Sequence, residues 1–269
     1  MGYEFGLSRR IYGVVCGVVT DNKHPEGDYR VKVKFPWISS TDAGDKEDFI
    51  SSWARVTSNM AGGGRGFYCL PEPDDEVLVS FIHGDVRLPV VIGSLWNKED
   101  KMPVGDSASG NKGVADPLGN DVGIGAAAVD NNAAGGKNNA RFFLSRAGHM
   151  LIFDDTDGKE SMTLISKSGH GLHFNDEKDN IAMHDASGEE YMVLDGKNKK
   201  IIIETKNGDI DILCKNGKLN VEAKEIFVKS TTTATYESKN DTKIESKSSN
   251  IVIKASSKID ADASKIELN

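Results

Sequence analysis

Residues 207–269 read NGDIDILCKNGKLNVEAKEIFVKSTTTATYESKNDTKIESKSSNIVIKASSKIDADASKIELN, and this stretch decides the fold. Pairs of apolar or small residues, separated by one residue, recur in it with steps of seven to nine residues and a mean period of eight. A period this short predicts one strand per repeat, stacked along an axis. The pairs are Ile210/Ile212, Leu219/Val221, Ile226/Val228, Ala234/Tyr236, Thr242/Ile244, Ile251/Ile253, Ile259/Ala261 and Ile266/Leu268.

Each repeat offers too little apolar surface to close a core within one chain. Ordering the backbone costs roughly 1–2 kcal/mol per residue, whereas burying a Val or Ile side chain returns about 1.5–3 kcal/mol. Two such side chains in eight residues offset that cost only if neighbouring chains pair with the backbone around a shared dry axis. We therefore expect an intertwined homotrimer with a triangular cross-section. Its predicted core comprises Ile210, Ile212, Leu219, Val221, Ile226, Val228, Ile244, Ile251, Ile253, Ile259, Ile266 and Leu268.

The composition changes along the chain in a way that predicts its domains. All seven prolines lie at or before Pro117, and all three tryptophans at or before Trp96. Because proline removes a hydrogen bond from a strand ladder, its absence beyond Pro117 suits a long β architecture. We predict an all-β fold with five segments: an N-terminal arm (1–9), a small β-barrel (10–100), a Gly/Ala/Asn-rich linker (101–140), a β-helix neck with irregular strands (141–200) and the octad-repeat β-helix (201–269).

The barrel is predicted from short alternating runs. Tyr29, Val31, Val33 and Phe35 fall on one face of a strand because successive side chains point to opposite sides. Five or six short strands without a convincing helix are typical of a small barrel. The predicted strands cover residues 12–20, 29–35, 52–56, 66–70, 76–82 and 89–95.

Charge and composition exclude several classes of partner. The net charge of -8 argues against a nucleic-acid partner, since phosphate recognition needs a basic surface. The N-terminus has no secretory layout, and no run approaches the ~20 apolar residues of a membrane helix. We therefore expect synthesis and folding in a reducing cytoplasm. Three widely spaced cysteines predict neither a disulfide framework nor a zinc site, and we expect buried, reduced thiols.

Two small clusters are candidate metal ligands, and both are better interpreted otherwise. Asp154, Asp155 and Asp157 lack the remaining acidic ligands of a calcium loop, so we expect a turn. His170 and His173 have no third ligand nearby, and strand alternation puts them on opposite faces. We predict no catalytic, cofactor-binding or metal-binding residues, and no enzymatic activity.

Three motifs in the predicted barrel resemble a known family. They are Gly66-Phe-Tyr-Cys-Leu-Pro71, Asp75-Glu-Val-Leu-Val-Ser-Phe-Ile-His-Gly-Asp85 and Leu88-Pro-Val-Val-Ile-Gly-Ser-Leu-Trp-Asn97. They resemble the OB-fold domain of phage baseplate spike proteins and VgrG proteins. Gly148-His149, followed by Phe153-Asp-Asp-Thr-Asp-Gly-Lys-Glu160, is similar to the start of that family's β-helix. The resemblance implies an OB-fold barrel followed by an intertwined trimeric β-helix.

In function, the resemblance implies the central spike of a contractile injection particle, which pierces a target-cell envelope when the sheath contracts. The chain begins almost directly at the barrel, so we expect the baseplate hub to be a separate protein. This favours a phage tail, a tailocin or an extracellular injection system over type VI secretion. Such a tail-like particle can be released from the cell.

The sequence also departs from spikes that carry extra chemistry. Residues 101–140 are too few for a lysozyme domain, and no histidine follows His184 to form a His-x-His iron site. We expect a PAAR-type tip protein to contact the last repeat. The predicted contacts are Ile266, Leu268 and Asn269. A trimeric tail fibre or adhesin that binds a surface receptor is the alternative, because it would share the β-helix.

Overall fold

The computed structural model describes residues 10–40, 47–100, 114–115, 121–122 and 138–266. The predicted arm 1–9 and most of the predicted linker 101–140 lie outside them. Within the described residues the chain forms strands β1 to β17 and a single 3-10 turn, Ile82–Gly84, and no helix is long and apolar enough to cross a membrane. The all-β fold class is confirmed.

The first six-stranded sheet closes into an OB-like barrel. Its order is β1-β7-β8-β4-β2-β3, and an additional β1–β2 pairing closes it. Among the described strands of this sheet, only β4 and β8 pair in parallel. The barrel strands are β1 (Val14–Asp21), β2 (Arg30–Ser40), β3 (Glu47–Ile50), β4 (Ala54–Val56), β7 (Glu76–Phe81) and β8 (Pro89–Leu95), with a small hairpin of β5 (Ala61–Gly62) and β6 (Arg65–Gly66) between β4 and β7.

Strand alternation builds the core of this barrel. Val31, Val33 and Phe35 are fully buried, as predicted from their shared face, and Val77 and Val79 of β7 meet them. The outward positions on the same strands are half-buried or exposed. The barrel therefore closes its own core within one chain.

Two expectations, one about a barrel strand and one about the cysteines, are wrong. Residues 67–70 do not form a strand: the Tyr29 hydroxyl accepts a hydrogen bond from the Cys69 amide (3.1 Å) and donates one to the Cys69 carbonyl (2.6 Å), so a side chain takes the place of a ladder partner. The thiols of Cys16, Cys69 and Cys214 are exposed. Cys16 is exposed because it alternates on β1 with the inward-facing Gly17 and Val19.

Residues 140–205 form a regular antiparallel meander in which every strand pairs with the next along the chain. Tight turns with positive-φ glycines, such as Gly158 (φ 71°) and Gly188 (φ 71°), join successive strands. Its strands are β11 (Ala140–Leu144), β12 (Met150–Asp154), β13 (Ser161–Ile165), β14 (Gly171–Asn175), β15 (Asn180–His184), β16 (Glu190–Asp195) and β17 (Lys200–Thr205). Upstream of it, β9 (Val114–Ala115) and β10 (Asp121–Val122) pair with each other.

The two faces of the meander differ in chemistry. One face carries the buried polar side chains Asp154, Thr163, His173, Asn180 and His184 among apolar ones. The other, which we call the apolar face, carries two rows of cross-strand neighbours that run over the strands and contain only apolar residues apart from Arg141 at one end. The rows are Phe143-Leu151-Leu164-Leu172-Met183-Met192-Ile203 and Phe153-Met162-Phe174-Ile181-Leu194-Ile201.

Candidate functional site

The backbone of the octad repeat bends at regular intervals but forms no strand across residues 206–266. Bends or turns occur at residues 206–208, 215–217, 224, 231–232, 239–240, 247–249, 256–257 and 264. Their spacing is about eight residues, the same as the spacing of the apolar pairs. The segment 212–269 forms a compact unit of its own, separate from residues 1–211.

The bends are in phase with the apolar pairs. Each pair begins about two residues after a bend, as Ile251 follows the bend at 247–249 and Ile259 follows the bend at 256–257. The extended segment between bends therefore starts with the two side chains that alternation sends to one side. Sequence and backbone thus share one repeating unit, a bend followed by a short extended segment.

Every residue from 206 to 266 is exposed in the single chain. Among the described core positions that the sequence predicts, Ile210 and Ile251 are the least exposed, each at 51%. Ile244 is the most exposed, at 74%. Leu268 and Asn269 lie outside the described residues, so of the predicted tip contacts only Ile266 is described. A core made by these side chains needs partner chains, and that core stays a prediction.

The second notable site is a buried histidine pair in the meander. The Nε2 atoms of His173 and His184 lie 2.9 Å apart, and the two rings are 2% and 5% exposed. The Thr163 hydroxyl lies 3.1 Å from His173 Nδ1, and the Asp185 carbonyl lies 2.6 Å from His184 Nδ1. All four imidazole nitrogens therefore have a polar partner in a buried site.

When both imidazoles are neutral, these partners determine which ring nitrogen of each histidine carries the hydrogen. A carbonyl oxygen can only accept, so His184 Nδ1 donates to Asp185 and its Nε2 accepts from His173 Nε2. His173 Nδ1 then accepts from the Thr163 hydroxyl. One added proton can be shared along this chain, whereas a second would set two N–H groups against each other.

Gly171 makes room for the pair. A Cβ atom at Gly171 would lie 2.6 Å from the Nε2 atoms of both His173 and His184. The rings therefore pack directly over the glycine backbone, which supplies the space that a larger residue would fill. Within the described residues, no group of three or more His, Cys, Asp or Glu side chains is arranged to hold a metal ion.

His170 and His173, the two histidines considered above as metal ligands, lie in different surroundings. His170 lies in a turn, is exposed, and accepts a hydrogen bond from the Ala186 amide (3.1 Å) at Nδ1. His173 is buried and pairs instead with His184, which sequence reasoning missed. The hairpin register would have revealed this partner, since Gly171 pairs with His184 directly across the β14–β15 hairpin.

The aspartate cluster is a turn in the structure. Asp154 is buried, and its Oδ1 accepts hydrogen bonds from the amide (2.9 Å) and the hydroxyl (2.5 Å) of Thr156. Asp155 is exposed, with its carboxylate 3.9 Å from Arg141 Nη1. The Asp154 carboxylate thus stabilises a turn, as predicted from the sequence.

The barrel matches a known domain. A family model described as "Type VI secretion system/phage-baseplate injector OB domain" matches residues 15–96, which span strands β1 to β8. The predicted resemblance is confirmed for this barrel. The match covers less than a third of the sequence, so the meander and the octad repeat lie outside it.

Curated relatives share the same resemblance at modest identity. The chain is 38% identical over 90 residues to the type VI secretion system spike protein VgrG5 of Pseudomonas aeruginosa, covering 34% of this chain and 11% of that protein. It is 35% identical over 74 residues to the spike protein VgrG3 of Vibrio cholerae, covering 28% of this chain and 7% of that protein. It is also 32% identical over 74 residues to the actin cross-linking toxin VgrG1 of V. cholerae, covering 28% and 6%.

The chain therefore spans about a tenth or less of the length of these relatives. Over residues 15–96, the chain is similar to the OB domain of type VI secretion and phage-baseplate injectors, and its matched relatives are type VI secretion spike proteins. One matched relative is named for a toxin activity, but the similarity covers only 6% of that protein.

Proposed function

We propose that this chain is a structural spike subunit of a contractile injection particle, and that three copies form a needle through the octad repeat. The observation that carries the proposal is the phase between bends and apolar pairs across residues 206–266, in a segment that is fully exposed in one chain. The similarity of the barrel to injector OB domains supports the place of this needle in such a particle.

A trimer gives each part of the repeat a partner. Extended segments of three chains can exchange backbone hydrogen bonds with their neighbours, while the apolar pairs meet on a common axis away from water. The outward residues carry equal numbers of acidic and basic side chains from residue 201 onward, which discourages association of one shaft with another. A stiff shaft of this kind is suited to transmitting the force of sheath contraction to a target-cell envelope.

The proposed partners follow from the two ends of this arrangement. A baseplate hub protein is proposed to hold the barrel side, and a PAAR-type tip protein the last pair of the repeat, at Ile266, Leu268 and Asn269. The net charge of -8 supports partners other than nucleic acid. Synthesis in the bacterial cytoplasm, assembly into a phage tail, tailocin or extracellular particle, and a non-enzymatic role belong to the same proposal.

The proposal is tested by deleting the gene in the producing bacterium and examining the particles by electron microscopy. We expect particles without a functional baseplate spike and a loss of injection. Complementation with the wild-type chain, or with the outward-facing variant Val252→Asp, should restore both. Complementation with Ile251→Asp/Ile253→Asp should not, because these side chains are assigned to the trimer axis.

The same experiment separates the spike from the alternative. If the chain were a fibre or adhesin, deletion would leave intact contractile particles that no longer adsorb to target cells. Normal particles that adsorb and inject without the chain would contradict both functions.

A further inference from the structure

Two of the six histidines of the chain are buried, and they form the histidine pair on β14 and β15. His173 and His184 are 2% and 5% exposed, whereas the other four are half-buried or exposed. Imidazole ordinarily gains its charge between pH 8 and pH 5, and burial opposes that charge. A buried pair therefore makes the folded chain sensitive to pH if it cannot take up the protons that the unfolded chain takes up.

The contact between the two rings fits a hydrogen and not a metal ion. The Nε2 atoms of His173 and His184 are 2.9 Å apart, which is a hydrogen-bond distance. A tetrahedral Zn²⁺ ion with Zn–N distances of about 2.0–2.1 Å would hold two nitrogens roughly 3.4 Å apart. Within the part of the chain that the structure describes, no third His, Cys, Asp or Glu side chain completes a metal site here.

The outer nitrogens of the pair limit the number of protons it can hold. His184 Nδ1 must carry a hydrogen, because its partner at 2.6 Å is the carbonyl of Asp185. His173 Nδ1 lies 3.1 Å from the Thr163 hydroxyl, which can turn from donor to acceptor, so one added proton is accommodated there. A second added proton would have to sit on His184 Nε2, where it would face the hydrogen of His173 Nε2. Two cationic rings would then also repel each other in a buried site.

The groups around the histidine pair do not relieve this repulsion by changing their own charge. The Asp185 carboxylate accepts a hydrogen bond from the Ser187 amide (2.8 Å), which lowers the pKa of that carboxyl. Tyr191, directly across from His184, donates its hydroxyl hydrogen to Glu204, and this bond raises the pKa of Tyr191. Neither group changes its charge between pH 7 and pH 5. The other charged side chains on this face of the meander are Asp154, Asp195 and Lys200 in the row at its turn edge and Glu204 beyond Tyr191.

We infer that the histidine pair is an acid-sensitive latch of the meander, which holds β14 and β15 together with at most one added proton and is forced apart when both imidazoles ionise. In the unfolded chain both imidazoles are protonated below about pH 6.5. The folded meander then binds one proton fewer, so its opening constant rises up to tenfold for each pH unit of acidification. All the groups involved belong to one chain, so the latch acts within a single copy and does not depend on the proposed homotrimer.

Hydrogen–deuterium exchange of the full-length chain at pH 7 and pH 5, followed by mass spectrometry, tests this. The reporter is β13 (Ser161–Ile165), whose sequence is the same in every variant, so that the pH dependence of intrinsic exchange cancels between them. His184→Gln and His173→Gln each leave one imidazole, whose N–H can donate to the glutamine oxygen, so folded and unfolded chains take up the same number of protons. His170→Gln is the matched control, because His170 is exposed in the turn that precedes β14.

We expect the opening constant of β13 to rise roughly 25-fold from pH 7 to pH 5 in the wild-type chain, relative to its change in His184→Gln and His173→Gln. His170→Gln should behave like the wild type. Equal pH dependence in the wild type and both pair variants would overturn the inference, and so would its loss in His170→Gln.

A second measurement decides the matter if the pair variants do not fold. Exchange of the imidazole C2 hydrogens in the wild-type chain, followed by mass spectrometry over a pH series, reports the protonation of each histidine. One proton shared by His173 and His184 in the folded chain at pH 5 would support the latch. Full protonation of both rings in the folded chain at that pH would overturn it, whatever the oligomeric state of the chain.

Discussion

The barrel and the octad repeat bury their apolar side chains by opposite means. In the barrel, ten core side chains including Phe35 and Val79 are at most 4% exposed within one chain. In the repeat, every residue from 206 to 266 is exposed, although apolar pairs recur throughout. The barrel strands close on each other through the β1–β2 pairing, whereas no two segments of the repeat pair within residues 206–266.

This difference shows that one chain contains two kinds of folding unit. A closed barrel gains its stability from contacts between residues far apart in the same chain. A repeat whose units each bury too little must gain its stability from its neighbours. The barrel is therefore expected to tolerate dissociation, while the repeat is expected to order only in an assembly.

The largest effect is expected from charges on the proposed trimer axis. Ile251→Asp/Ile253→Asp would put six carboxylates into the core of a trimer, and each buried ion costs several kcal/mol. We expect sedimentation velocity at micromolar concentration to show monomers, and limited proteolysis to digest the repeat while sparing residues 10–100. Val252→Asp is the matched control, since Val252 is as exposed as its neighbours in the single chain but alternates to the other side. Equal behaviour of the two variants would refute the assignment of an inward face.

The next effect concerns the barrel alone. Phe35 is fully buried and packs against Phe81 and Phe49, so Phe35→Ala should lower the free energy of unfolding of the barrel by about 3–5 kcal/mol. Urea unfolding followed by tryptophan fluorescence measures this, because all three tryptophans lie at or before Trp96.

In the same variant the oligomeric mass should not change, since the repeat does not depend on Phe35. The control is Arg55→Ala, an exposed change on β4 that we expect to stay within about 0.5 kcal/mol. Loss of the oligomer in Phe35→Ala would show that the two regions are not independent.

A smaller effect is expected at the histidine pair. Gly171→Ala introduces a Cβ that meets both Nε2 atoms at 2.6 Å, and overpacking of this kind costs about 1–3 kcal/mol. Differential scanning calorimetry should show a lower Tm, whereas Gly93→Ala on β8, where a Cβ meets nothing within 4 Å, should be nearly neutral. Combining Gly171→Ala with His184→Ala tests the cause: the cost of Gly171→Ala should shrink once one ring is removed, and an unchanged cost would rule out the contact as its origin.

The smallest effect is expected at an exposed turn of the barrel. Hydrogen bonds from the Arg87 side chain to both carboxylate oxygens, together with the Arg87 amide, lower the pKa of Asp85 to about 2. A lowered pKa means that the contribution of this contact is present above about pH 4 and is lost as the pH falls toward 2. NMR titration of the Asp85 carboxyl measures the pKa directly.

Asp85→Asn should lower the Tm of the barrel only slightly at neutral pH, because exposed ion pairs contribute little to stability. Glu99→Gln, which removes a carboxylate from another exposed turn, is the control. An Asp85 pKa near its ordinary value would mean that the contact with Arg87 does not persist in solution.

The strands that sequence reasoning found are those whose burial alternates. β7 and β8 match the predicted 76–82 and 89–95 closely, because Val77, Val79 and Phe81 face inward while their neighbours face outward. β3 was missed because the sequence Glu47-Asp-Phe-Ile50 does not alternate between polar and apolar residues. It forms a strand because it pairs with β2. The predicted strand at 66–70 failed because Tyr29 supplies the hydrogen bonds at Cys69 from a distant part of the chain.

The candidate sites divide in the same way. The octad period could be predicted from sequence because each pair is local, and the bends of the backbone follow it. The pairing of His173 with His184 and the two continuous rows of the apolar face could not, since both depend on the register between strands. Register is fixed by the turns of the whole meander, which a reading of single strands does not supply.

The mass of the intact chain in solution tests the central claim most directly. Sedimentation equilibrium of the full-length protein at micromolar concentration should give three times the mass of the 29.1-kDa chain. A single species at the mass of one chain, with residues 206–266 ordered, would contradict the claim that the repeat buries its apolar pairs between copies.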